Sequence, residues 1–175
     1  KLPDSQLDRF LLRLSMGYPT PAEELELLRR RQYSHGMEGT EQVVDRASLE
    51  QMRQAAGDVH VDEEIMKYII RLVGATRKHP QLLQGASPRA TLAVTAVSRA
   101  VAFLRGRDYV VPEDVQTIWV DAVAHRLLLV PGAERSVNVQ EIAHAALRGT
   151  DAPRIPQRHA ATVDAVCPPP AAGPP

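Results

Sequence analysis

Gly85-Ala86-Ser87-Pro88-Arg89-Ala90 and the residues after it, through Leu104, decide the fold. Ser87 is a good N-cap, and Pro88 suits the first helical position because its missing N–H would have no partner there. From that start the apolar residues Ala90, Ala93, Val94, Val97, Ala100, Val101 and Leu104 recur at helical spacing. The spacing predicts a helix over 88–104 with one buried face. Arg89 falls in the first turn, where the positive end of the helix dipole disfavours a cation by roughly 0.3–1 kcal/mol. Free N–H groups at a helix start favour phosphate, so one reading of Arg89 is a cation that shares an anion with the helix. The other is a solvated arginine that tolerates the cost. The motif alone leaves both open.

Outward from this helix the same grammar repeats. Thr20-Pro21 opens a helix over 21–33, with Glu23 and Glu24 in its first turn and Arg29 to Arg31 in its last, an order that complements the dipole. Gly36 and Gly39 mark a loop. Ser48 with Gln51 resembles a capping box and predicts a short helix over 48–56. Val59-His60-Val61 reads as extended. Asp62 then caps a helix over 62–78 with Ile65, Ile69, Leu72, Val73 and Thr76 on one face, and Pro80 follows its end. Tyr109-Val110-Val111 is a short extended bridge into a helix over 112–125, with Val115, Ile118, Trp119 and Ala122 facing inward. A last helix is expected over 139–148.

Ahead of this body, Leu2 to Arg9 reads as a short helix with Pro3 near its start. Phe10 to Met16 reads as a strand that Gly17-Tyr18-Pro19 ends. Its partner strands would lie upstream, and the chain opens on Lys1, so it reads as a piece of a longer protein. Residues 151–175 carry seven prolines and lose periodicity, which predicts a flexible tail with Cys167 as an incidental thiol. The reading is mainly α: residues 1–19 as the end of one domain, 20–149 as a helical body and 150–175 as a tail.

Composition removes several function classes. The 21 basic and 21 acidic residues cancel, which argues against a broad nucleic-acid surface. A single cysteine excludes an internal disulfide framework. There is no apolar run of about eighteen residues to span a membrane, and no basic-then-apolar leader at the start of the chain. The sequence contains no G-x-x-x-x-G-K-[ST] phosphate loop and no dinucleotide fingerprint after a strand. His35, His60, His79, His125, His144 and His159 fall in no metal-ligand spacing, so no metal site is expected. His125-Arg126 is accounted for as a pair of cations at a helix end. Glu23/Glu24, Glu63/Glu64 and Glu113/Asp114 all sit in first turns, where capping electrostatics explains them better than acid–base chemistry. Arg9, at a helix–strand junction between Asp8 and Phe10, could be aimed outward as a stabiliser of phosphoryl charge. It could equally form a local pair with Asp8.

At these residues the sequence resembles MoxR-type AAA+ proteins. Leu2-Pro3-Asp4-Ser5-Gln6-Leu7-Asp8-Arg9-Phe10, with the strand and Gly17-Tyr18-Pro19 after it, resembles the end of their ATPase core. Gly85-Ala86-Ser87-Pro88-Arg89-Ala90 resembles their sensor-2 motif. Gly106-Arg107-Asp108-Tyr109-Val110-Val111-Pro112-Glu113-Asp114-Val115 and His125-Arg126-Leu127 resemble the remainder of their lid. The likeness covers roughly residues 2–130, with the three motifs in order.

The resemblance implies a helical lid domain packed on an α/β nucleotide-binding core, with ATP and Mg2+ bound between subunits of a ring, commonly a hexamer. It makes Arg9 the arginine finger, and Arg89, with Ser87 and Pro88, sensor 2, acting on its own or a neighbour's nucleotide. It further implies a cytoplasmic, chaperone-like ATPase that assembles or activates partners, often with a von Willebrand factor A-domain protein. The phosphate loop and Walker B residues of that family are not in this sequence, so these residues alone are expected not to hydrolyse ATP. The alternative is a non-catalytic helical interaction module with Arg9 and Arg89 as surface residues.

Overall fold

The computed structural model describes residues 3–33 and 41–154. The loop around Gly36 and Gly39, His35, His159, Cys167 and most of the proline-rich tail lie outside the described residues. The chain is mainly helical, as the periodicity requires. Its helices are α1 (Asp4–Leu7), α2 (Pro21–Tyr33), α3 (Arg46–Asp58), α4 (Glu63–Arg77), α5 (Pro88–Leu104), α6 (Pro112–Val123) and α7 (Val139–Arg148).

The core is built by α4, α5, α6 and α7. Ile65, Tyr68, Ile69, Leu72 and Val73 of α4 meet Ala90, Val94 and Val97 of α5 and Val115, Ile118 and Trp119 of α6. Trp119 is fully buried, and its indole N–H finds the Ala143 carbonyl of α7 at 2.8 Å. That bond lets the largest apolar side chain enter the core without an unsatisfied donor. The face expected for α5 is correct at Ala90, Ala93, Val94 and Val97 but drifts at the far end. There Ser98 and Ala102 are buried, and Leu104 is 73% exposed.

Two ties fix α5 along its axis. At its end Asp114 of α6 is completely buried and binds two guanidiniums: Arg105 Nη1 donates at 2.8 Å, and Arg107 donates from Nη1 and Nη2 at 2.7 and 2.6 Å. The same carboxylate accepts the Val111 N–H at 2.9 Å, so its expected first-turn role is real but partial. It also raises the Arg107 pKa, chiefly through these hydrogen bonds. At the start of α5, the loop before Ser87 lies against the end of α4. Ala86 N–H donates to Thr76 Oγ1 at 3.0 Å, and Arg77 Nε donates to the Ala86 carbonyl at 2.8 Å. A side chain on Gly85 would sit 2.6 Å from the Arg77 Cα, so only glycine allows this approach.

Four expectations need correction. Residues 10–16 form no strand: a ladder needs a partner, and none pairs with them among the described residues. Their Arg13 N–H instead donates to the Asp121 carbonyl of α6 at 3.0 Å. Leu82–Gln84, to which the periodicity assigns no element, is β1 and pairs antiparallel with β2 (Leu128–Leu129). Such short strands leave no period to read. The N-cap of α3 is Asp45, whose Oδ1 accepts the Ser48 N–H at 2.7 Å, so the helix begins earlier than Ser48. Finally, α6 ends at Val123, and Ala124–Arg126 form a 3-10 turn. The two extended pieces near His60 and Tyr109 do meet, in a parallel bridge.

Candidate functional site

Ser87 caps α5 as its sequence demands: its Oγ accepts the Arg89 N–H at 3.2 Å. The same hydroxyl donates to the Asp8 carboxylate, at 3.0 Å to Oδ1 and 3.1 Å to Oδ2. Asp8 therefore supplies a negative charge at the positive end of the helix, from 79 residues away in sequence. This answers in part why a cation is tolerated in the first turn. The ion pair that Asp8 makes is with Arg126 rather than with its neighbour Arg9. Pro88 occupies the first helical position and is exposed.

Arg126 holds the rest of this junction. Its side chain is 2% exposed, and its Nε donates to the Ala122 carbonyl at 2.9 Å. Nη1 donates to the Asp8 carbonyl and, at 3.1 Å, to Asp8 Oδ1, while Nη2 donates to the Phe10 carbonyl at 2.7 Å. His125 Nε2 lies 3.0 Å from the same Phe10 carbonyl and donates to it as the Nε2–H tautomer. Burial, first, holds the His125 pKa below its ordinary value, with the neighbouring Arg126 charge adding to the effect against the favourable Phe10 carbonyl bond. The reading of His125-Arg126 as helix-end cations missed this. Nothing local signals it, since the partners lie more than 110 residues away.

Arg9 thus has both flanking carbonyls fastened to the body. Its own N–H donates to the Gln6 carbonyl at 3.0 Å, and the Phe10 N–H to the Leu7 carbonyl at 3.1 Å. Its side chain is exposed, as is that of Arg89. Neither guanidinium makes an ion pair or hydrogen bond among the described residues. Both line the same two adjoining hollows, of about 360 and 350 Å3. Asp8 and Arg126 line both as well; Leu11, Leu92, Ala93 and Ala96 form an apolar wall on one side, and His125 lies on the other. Three guanidiniums against one carboxylate make this groove attractive to an anion. Among the described residues no three His, Cys, Asp or Glu side chains gather to hold a metal ion.

Comparison with known proteins agrees with this architecture. The AAA lid domain family matches residues 74–145. The chain is 39% identical over 133 residues to the uncharacterized protein YeaC of Bacillus subtilis, covering 76% of this chain and 42% of that protein. It is 38% identical over 137 residues to the chaperone MoxR1 of Mycobacterium tuberculosis, covering 73% of this chain and 36% of that one. The chain belongs to the MoxR-type AAA+ proteins. A crystal structure of a candidate ATPase from Cytophaga hutchinsonii superposes with a TM-score of 0.80 at 31% identity, over 88% of this chain and 50% of that one. This MoxR-type chain therefore spans less than half the length of the curated relatives it matches. No described helix is long and apolar enough to cross a membrane.

Proposed function

We propose that this chain is the lid-bearing part of a ring-forming ATPase, and that Arg9 and Arg89 together address the phosphates of one nucleotide held by a neighbouring subunit. The observation that carries the reading is their pairing: two exposed guanidiniums without partners line one groove. Their backbones are fixed independently of their side chains, Arg9 through its flanking carbonyls and Arg89 through the Ser87 cap. Preorganised cations aimed at developing phosphoryl charge cost little reorganisation during reaction. Because the two share a groove, a finger that reaches across a subunit boundary takes sensor 2 with it to the same phosphates.

The fit to the nucleotide is one of charge: Arg9 and Arg89 would hold phosphate oxygens, whereas none of the described residues is assigned to Mg2+. Mg2+ bound with ATP would supply neutralisation of the phosphate charge. The lid body over 20–149 would couple nucleotide state to movement, with 1–19 as the end of the ATPase core and 150–175 as a tail. The family names support a chaperone-like role. A hexameric ring, a cytoplasmic setting and a von Willebrand factor A-domain partner complete the proposal.

In the full-length protein, Arg9→Ala should lower ATP turnover steeply, since arginine fingers elsewhere contribute about 10³–10⁵ in rate. Nucleotide binding by the isolated subunit should persist. Arg89→Ala should also reduce turnover. Steady-state hydrolysis and nucleotide affinity, measured for both variants, test the assignment; unchanged values in both would favour the interaction module.

A further inference from the structure

We propose that Arg126 is a positioning residue for Arg9, and that Asp8 carries its grip on to Ser87, so that Arg9 and Arg89 are held as one unit. The proposal rests on the finger reading above and adds how that finger is held. A buried guanidinium is costly unless its donors are all used. Here four of its contacts go to the carbonyls of Ala122, Asp8 and Phe10 and to the Asp8 carboxylate. Two of those carbonyls bracket Arg9 and belong to its own peptide neighbours. A planar fork can clasp both at once, and a lysine ammonium on its flexible stem cannot reproduce that geometry.

Asp8 makes the second link. Its carboxylate is shared between Arg126 and the Ser87 hydroxyl, and that hydroxyl caps the helix turn carrying Arg89. The three side chains join the Arg9 peptide, the 3-10 turn after α6 and the start of α5. A shift of α5 relative to α6 would therefore be felt at Arg9 through hydrogen bonds rather than through loose packing.

Two measurements on Arg126→Lys test this, with Asp8→Ala as a second variant that leaves the buried core untouched. The first is hydrogen exchange of this chain. Amides of residues 8–13 should exchange faster in both variants, with residues 65–73 of α4 unchanged. The second is a turnover cycle in the full-length protein. Arg126→Lys should lower kcat by about 10²-fold, the scale expected for a misplaced group, with KM for ATP retained. In an Arg9→Ala background it should lower kcat by much less than about 10²-fold, because the main positioned group is gone and only the link to Arg89 remains. Unchanged exchange over 8–13 in both variants overturns the clasp. So does a full multiplicative loss in the double variant, which would mark a general structural role. An Arg9→Ala protein with normal turnover overturns the finger reading instead, and the exchange result still decides whether Arg126 and Asp8 hold the segment.

Discussion

α2 and α5 open on the same phrase and end in different places. Thr20-Pro21 and Ser87-Pro88 both give a capping hydroxyl and a proline in the first turn, and both helices begin where that phrase puts them. Thr20 even forms a reciprocal cap: its N–H and hydroxyl donate to Glu23 Oε2 at 2.7 and 2.8 Å. Yet α5 lies in the core while Leu25, Leu27 and Leu28 of α2 are 49%, 59% and 65% exposed. Local capping decides that a helix forms. What holds it in place is non-local: Gly85 and Thr76 at one end of α5, Asp114 at the other. In α2 the Thr20–Glu23 cap and the Arg30–Glu26 pair both stay within the helix and its own cap.

The contrast breaks most directly at Asp114. Asp114→Ala leaves the Arg105 and Arg107 guanidiniums without their carboxylate, and should cost about 3–5 kcal/mol, the range for breaking a buried pair. Chemical denaturation followed by circular dichroism reads the loss; a change near zero would mean that α5 is not fixed at that end. Next comes Gly85→Ala. Its methyl would meet the Arg77 backbone at 2.6–2.7 Å, and overpacking of this kind costs about 1–3 kcal/mol. The same denaturation curve checks it.

The smallest effect sharpens the other side. Leu28→Ala should change the stability of this chain by less than about 0.5 kcal/mol, as for a surface substitution. Made in the full-length protein, the same change should cost more if further protein covers α2, and its stability measured in parallel reports that difference.

Much of the fold was legible because caps and periodicity are local. The helices over 21–33, 88–104 and 139–148 fall where the sequence puts them. The face of α4 does too, although Tyr68 joins it as a fully buried residue. The failures over strands share one physical cause, and the α3 cap has another. A strand at 10–16 depended on pairing that the described chain does not supply. β1 and β2 are too short to carry a period and exist only through each other. Asp45 took the cap of α3 because its carboxylate reaches the Ser48 N–H, a choice between two good capping residues.

The site divides in the same way. Ser87 and Pro88 do locally what their types predict, and Arg9 and Arg89 are exposed cations, as either reading of them allows. That the two share a groove was not in the spacing, since they lie 80 positions apart (89 minus 9). Arg126 was hidden for the same reason. Its position at a helix end gave it a sufficient local explanation, and only the Asp8 and Phe10 carbonyls reveal its use.

The proposed service of Arg9 and Arg89 to one neighbouring nucleotide from a single groove is decided by mixed rings of the full-length protein. One subunit carries Arg9→Ala or Arg89→Ala with its own phosphate loop intact. The other keeps both arginines but has lost its phosphate loop. Each is inactive or impaired alone. Mixing should restore ATP turnover for both arginine variants, because intact arginines then face intact nucleotide sites across some interfaces. Rescue of Arg9→Ala without rescue of Arg89→Ala, in rings shown to be mixed, would place Arg89 on its own subunit's nucleotide and contradict the shared groove.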